Sequence, residues 1–100
     1  MDKELYLIHA EMCKVFSNPG RLEILNTLRH GERSVTELTK RTKLSQASVS
    51  QHLAVMRLKG IVKARRHGNR TYYRLMNPKI IRAFDIIREI LRERIAVRRA

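Results

Sequence analysis

Residues 34–59 constrain this chain more than any other stretch. They read Ser-Val-Thr-Glu-Leu-Thr-Lys-Arg-Thr-Lys-Leu-Ser-Gln-Ala-Ser-Val-Ser-Gln-His-Leu-Ala-Val-Met-Arg-Leu-Lys, a pattern that divides into two short helices joined by a tight polar turn. Ser34 and Glu37 have the spacing of a capping box, in which each side chain satisfies a free N–H at a helix start. Val35 and Leu38 are the inward residues of that helix. Leu44 and Ser45 then open the next helix as staple residue and N-cap, with Val49 placed to meet Leu44. Val49, Leu53 and Met56 recur at helical spacing and predict a buried stripe. With that stripe inward, a step of about 100° per residue turns Ala47, Ser50, Gln51 and Ala54 outward, with Gln46 and Ser48 at the flanks.

The remaining chain supplies elements on both sides of this pair. Leu5, Ile8, Met12, Val15 and Phe16 predict a first helix over residues 3–16. Asn18 is a good N-cap and Pro19 suits the first helical position, where no N–H is needed. Leu22, Ile24, Leu25 and Leu28 give the second helix its core face, and Gly31 ends it. Gly60 ends the fourth helix. Between Lys63 and Leu75 the period shifts to short β-prone runs around Gly68-Asn69, a two-residue hairpin signal. Asn77-Pro78 caps a last helix over residues 78–97. The expected fold is mainly α with a small β-hairpin, in the order α-α-α-α-β-β-α, a winged helix-turn-helix occupying residues 1–100 as a single domain.

Charge narrows the function. Lys and Arg number 22 against 9 acidic residues in 100, a formal net charge of +13. This balance calls for a polyanionic partner, nucleic acid or an anionic membrane surface. No apolar run is long enough to cross a bilayer and no signal peptide is evident, so a soluble, cytoplasmic chain is expected. A single cysteine, Cys13, excludes an internal disulfide and fits a reducing compartment.

The helix pair and the hairpin point to duplex DNA. A helix-turn-helix rests one helix across the backbone while the next lies in the major groove. Gln46, Ala47, Ser48, Ser50 and Gln51 are therefore the candidate recognition residues. Gln pairs bidentately with adenine, Ser bonds to bases or phosphates, and Ala leaves room for a thymine methyl. Arg65, Arg66, His67, Asn69 and Arg70 surround the hairpin tip and could reach phosphate or the minor groove. The plainer alternatives are a Ser-rich helix cap and a solvated, charged edge that discourages aggregation. His52, beside Leu53, fits a packed, hydrogen-bonded histidine better than a base contact.

With these residues in view, the chain resembles the ArsR/SmtB family of winged-helix repressors. The matching pieces are Phe16-Ser17-Asn18-Pro19-Gly20-Arg21-Leu22-Glu23-Ile24-Leu25, Leu44-Ser45-Gln46-Ala47-Ser48-Val49-Ser50-Gln51-His52-Leu53, Leu58-Lys59-Gly60-Ile61-Val62 and Tyr72-Tyr73-Arg74-Leu75. The resemblance covers nearly the whole chain and implies a homodimer that represses its operator, in many members until a metal ion binds. This chain departs from the soft-metal sensors, because Ser34 and Thr36 stand where they carry a Cys-x-Cys pair. The last helix has Asp85, Glu89 and Glu93 but no His, and alternation with Arg88 and Arg92 reads as ordinary surface charge. His9 and Cys13, four residues apart on the first helix, are the remaining candidates for a metal or redox site. A packed helix face, with Cys as a small core residue and His9 near Ile8 and Met12, is the favoured reading. No metal and no cofactor is expected, and the effector is unassigned.

The last helix carries more apolar surface than a small core needs. Ile80, Phe84, Ile87, Leu91 and Ile95 share a face that Ile86 and Ile90 broaden on one side and Ile81 on the other. With Leu5, Ile8 and Met12 of the first helix, Ile80, Phe84, Ile87 and Leu91 are the candidate dimer interface. The expected function is a sequence-specific double-stranded-DNA-binding repressor, a homodimer on a palindromic operator. The alternative is an architectural DNA-binding protein with little sequence preference. No acid, base and nucleophile set suggests an enzyme.

Overall fold

The computed structural model describes residues 2–99. Its helices are α1 (Lys3–Val15), α2 (Pro19–Thr27), α3 (Val35–Thr42), α4 (Gln46–Leu58) and α5 (Lys79–Arg99), and its strands are β1 (Arg33–Ser34), β2 (Val62–His67) and β3 (Arg70–Leu75). A 3-10 turn, Leu28–His30, extends α2. The helices and the hairpin follow the order expected from the sequence.

The helix starts are set by side chains near at hand. Asn18 Oδ1 accepts the Arg21 N–H at 3.1 Å, with Pro19 in the first turn. The Ser34–Glu37 capping box is closed on both sides, at 3.2 and 3.1 Å. Gly60, at φ 73°, ends α4, and the Ile61 N–H reaches back to the Met56 carbonyl at 2.8 Å. Only glycine adopts that left-handed geometry without strain, and it lets the chain leave α4 directly into β2.

One strand was not expected. Arg33 and Ser34 pair antiparallel with Tyr73 and Tyr72, making a three-stranded sheet in the order β1-β3-β2. The reason is local: an N-cap residue has extended backbone, and Ser34 at φ −79°, ψ 164° serves as cap and strand together. The hairpin registers His67 opposite Arg70. Gly68 has a positive φ of 63° that Asn69 does not share, the φ pattern of a type II′ turn.

The core gathers Ile24, Leu25 and Leu28 from α2 and its extension, Leu38 from α3, and Val49, Leu53 and Met56 from α4. Ile61, Val62 and Leu75 close it from the hairpin, and Val15, Ile81 and Phe84 from the terminal helices. Here one expectation is corrected. Phe84, expected at a dimer interface, is only 7% exposed and belongs to the chain's own core. Its ring meets Phe16 edge-on with centroids 4.9 Å apart, and the Arg88 guanidinium lies over it at 5.6 Å. The first turns of α5 cross the body, so Ile81 and Phe84 are used there, and Ile80 packs against the same cluster. Ile87 and Leu91, one and two turns later, are 53% and 44% exposed.

Asp85 is also more than ordinary surface charge. It accepts two hydrogen bonds from Arg29, at 2.6 and 3.1 Å, which tie α5 to the end of α2. The paired guanidinium holds the Asp85 carboxyl below its ordinary range. Cys13 is exposed on α1 within one chain, so the chain's own core does not cover it. Among the described residues, no three His, Cys, Asp or Glu side chains gather where they could hold a metal ion. No helix there is long and apolar enough to cross a membrane.

Candidate nucleic-acid interface

The fourth helix divides cleanly into two faces. Val49, Leu53 and Met56 are each 0% exposed, and this inner row anchors the helix on α2 and α3. Gln46, Ala47, Ser50, Gln51 and Ala54 all point to solvent on the other side. Ser48 differs from its neighbours. Its backbone N–H bonds to the Ser45 hydroxyl at 3.1 Å and its own hydroxyl lies 3.0 Å from the same oxygen, so it is partly committed to the helix cap.

The turn before α4 is held by α3. Lys43 ends α3 in the left-handed region at φ 60°, and its N–H bonds to the Thr39 carbonyl. Thr42 Oγ1 accepts the Leu44 N–H at 3.3 Å. Lys40, Arg41 and Lys43 are exposed here and bring positive charge beside α4, a contribution the sequence reading did not single out.

In the hairpin, Arg66, His67, Asn69 and Arg70 are exposed around the tip. Arg65 is placed differently. Its guanidinium forms a two-pronged pair with Glu32, at 2.7 and 3.0 Å, and stacks over Tyr72 at 5.3 Å. This partner pushes the Glu32 carboxyl below its ordinary range and raises Arg65 further. Arg65 thus ties the base of the hairpin to the segment before β1, while Arg66 and Arg70 have no ion-pair partner among the described residues. Ala54, Arg57 and Leu58 of α4 share a shallow cleft with Tyr73 of β3, so the end of the helix adjoins the hairpin.

A second long-range contact locks α4 from behind. Arg21 donates from Nε to His52 Nδ1 at 3.2 Å and from Nη1 to the Val15 carbonyl at 3.3 Å. One guanidinium therefore links the end of α1, the start of α2 and the middle of α4. Gly20 permits this closeness, since a Cβ there would meet His52 Nε2 at 3.0 Å. His52 is the packed, hydrogen-bonded histidine its neighbours suggested. Nothing in the local sequence identifies Arg21 as its partner, because the two are 31 residues apart.

Burial first, and then the Arg21 charge, push the His52 imidazole below its ordinary value of 6.5. The unfolded chain therefore takes up a proton near that pH which the folded chain refuses until the pH is lower. The unfolded state then binds more protons, so stability is present above 6.5 and is lost as pH falls. Urea unfolding at about pH 7 and about pH 5.5 should show a falling midpoint in the wild type. His52→Gln offers Arg21 a neutral acceptor that does not titrate, and it should flatten that fall. An equal fall in both proteins would assign the effect to other groups.

Comparison with known proteins gives a consistent set. The family model described as "Bacterial regulatory protein, arsR family" matches residues 18–64. The transcriptional repressor PagR of Bacillus anthracis is 43% identical over 72 residues, covering 71% of this chain and 72% of PagR. The crystal structure of Rv0081 from Mycobacterium tuberculosis superposes with a TM-score of 0.83 at 35% identity, covering 99% of this chain and 100% of that one. The solution structure of the homodimeric winged helix-turn-helix DNA-binding domain Mb0332 from Mycobacterium bovis gives 0.79 at 31% identity, covering 95% and 90%. Relatives differ in size: the chain spans 38% of the length of the M. tuberculosis regulator Rv0324.

Proposed function

This chain belongs to the arsR family of bacterial regulatory proteins, and from that premise we propose that it is a transcriptional repressor that binds duplex DNA sequence-specifically, as a homodimer on a palindromic operator. The observation that carries this reading is the two-sided α4. Its buried row leaves Gln46, Ala47, Ser50 and Gln51 together on a solvent face, beside a hairpin whose Arg66 and Arg70 have no ion-pair partner among the described residues. Gln46 and Gln51 read base edges, Ala47 and Ser50 allow close approach, and Ser48 serves the helix cap and an adjacent phosphate. Arg66, His67, Asn69 and Arg70 anchor the wing, with Arg65 as its internal brace. The activity is binding, with no catalytic step.

Dimerisation is part of the proposal. Of the described residues of α1 only Val15 is buried, and Leu5, Ile8 and Met12 are 48%, 54% and 41% exposed. Apolar rows on α1 and on the later turns of α5 have no cover from the described residues, and a second copy provides it. Leu5, Ile8, Met12, Ile87 and Leu91 form the proposed interface, with Ile80 at its edge. Two copies of α4 about 34 Å apart would read half-sites one helical turn apart.

Binding to a selected operator and to random duplex DNA tests this reading. Neutralising about six phosphates gives a log–log salt slope near −5. Gln51→Ala should lose roughly 1 to 3 kcal/mol on the operator and much less on random DNA. Arg70→Ala should weaken both and flatten the slope by about one unit. The net charge of +13 gives the architectural alternative its support. Equal wild-type affinity for operator and random DNA would establish that alternative instead.

A further inference from the structure

A cleft of about 590 Å³ opens between α2 and α5, with Glu23, Asn26, Arg29, Asp85, Arg88 and Arg92 as its polar lining. No residue of α4 or the hairpin contributes to it, and its volume is in the range of small-molecule sites. Three guanidiniums enter one cleft, and their hydrogen bonds are unevenly met.

Each Arg29 nitrogen is engaged: Nη1 and Nη2 donate to Asp85, and Nε donates to Asn26 Oδ1 at 2.9 Å. Arg88 takes a lesser share. Its Nη1 reaches the same Asn26 oxygen at 3.3 Å and lies 3.6 Å from Asp85. Both Asp85 oxygens and the Asn26 carbonyl oxygen thus already accept from Arg29 or Arg88. The other Arg88 donors and the whole Arg92 head have no protein acceptor among the described residues. Arg88 and Arg92 are four residues apart, so they occupy one face of α5 on successive turns.

This arrangement selects among anions. A carboxylate offers two oxygens in one plane and is satisfied by one guanidinium, as Asp85 is by Arg29. A phosphoryl group offers three oxygens in a tetrahedral spread and more than one negative charge. It can accept from two guanidiniums on different turns at once. We propose that this cleft binds a small, multiply charged phosphoryl anion, free pyrophosphate or the polyphosphate of a nucleotide, through Arg88 and Arg92. Arg29, held by Asp85, forms the rear wall. Glu23 faces the cleft without an ion-pair partner among the described residues, and its charge limits the affinity.

Isothermal titration of the full chain with pyrophosphate, and separately with ATP, tests the site without DNA, so its failure leaves the DNA-binding reading intact. One site per chain is expected. Arg92→Gln and Arg88→Gln should each weaken binding about tenfold, the loss of one charge-assisted contact. Glu23→Gln should tighten it. Arg92→Gln removes no hydrogen bond found among the described residues, so an unchanged melting temperature will report an intact fold. Tighter binding of pyrophosphate identifies the free anion as the preferred form, and tighter binding of ATP the nucleotide. Because a chain this basic attracts anions elsewhere, Arg66→Ala and Arg70→Ala serve as the control and should leave the titration unchanged. The proposal fails if neither ligand binds the wild type. It also fails if affinity survives Arg88→Gln and Arg92→Gln, with or without loss in the hairpin variants.

Discussion

Leu91→Glu is expected to leave a folded chain that no longer self-associates. Leu91 is 44% exposed within one chain, so a carboxylate there meets water and the monomer tolerates it. Across an apolar interface the same carboxylate would be buried without a partner. A loss of roughly 3 kcal/mol, typical of a central interface residue, weakens the dimer about a hundredfold or more. Ile8→Glu on α1 should do the same from the other helix. Operator affinity should fall with the dimer, because each half-site supplies only part of the binding energy. Sedimentation velocity on both variants is the direct measurement. An intact dimer in both would remove the terminal helices from the proposed interface.

The second large effect is on stability, and it checks the placement of α4 without any DNA. Leu53→Ala should destabilise the fold by about 2 to 5 kcal/mol, the usual loss for an aliphatic side chain deleted from a close-packed core. Gln51→Ala, two residues away on the exposed face, should change stability by no more than about 0.5 kcal/mol. Urea unfolding at neutral pH separates the two. If Leu53→Ala cost as little as Gln51→Ala, the helix would be rotated from the register described, and the solvent face assigned to base reading would be wrong with it.

Elements whose causes are local were legible before any coordinates. The capping box at Ser34 and Glu37, the cap and proline at Asn18-Pro19, the Gly60 stop and the Gly68 turn each depend on neighbours a few residues away. Helical periodicity likewise identified the buried Val49, Leu53 and Met56, because one amphipathic helix can face only one way. The same periodicity implied the exposed Gln46, Ser50 and Gln51. Charge alone implied a polyanionic partner, since composition sets the sign of the field whatever the fold.

Contacts between residues far apart in sequence were not legible in this way. Arg65 had the composition of a free wing residue, but the fold brings Glu32 within 2.7 Å of it. Arg21 and His52 meet only because Gly20 lets α2 and α4 come close. Phe84 shares a helical stripe with Ile87 and Leu91, and periodicity cannot say where along a stripe the core ends. Only the crossing of α5 over the body divides that stripe into buried and exposed parts. The cleft of Arg29, Arg88 and Arg92 likewise needs α2 and α5 side by side. The sequence by itself determined which local elements form and which way each one faces. The tertiary structure decided which charges are neutralised within the chain and which have no ion-pair partner among the described residues, because that depends on partners the chain brings together only by folding.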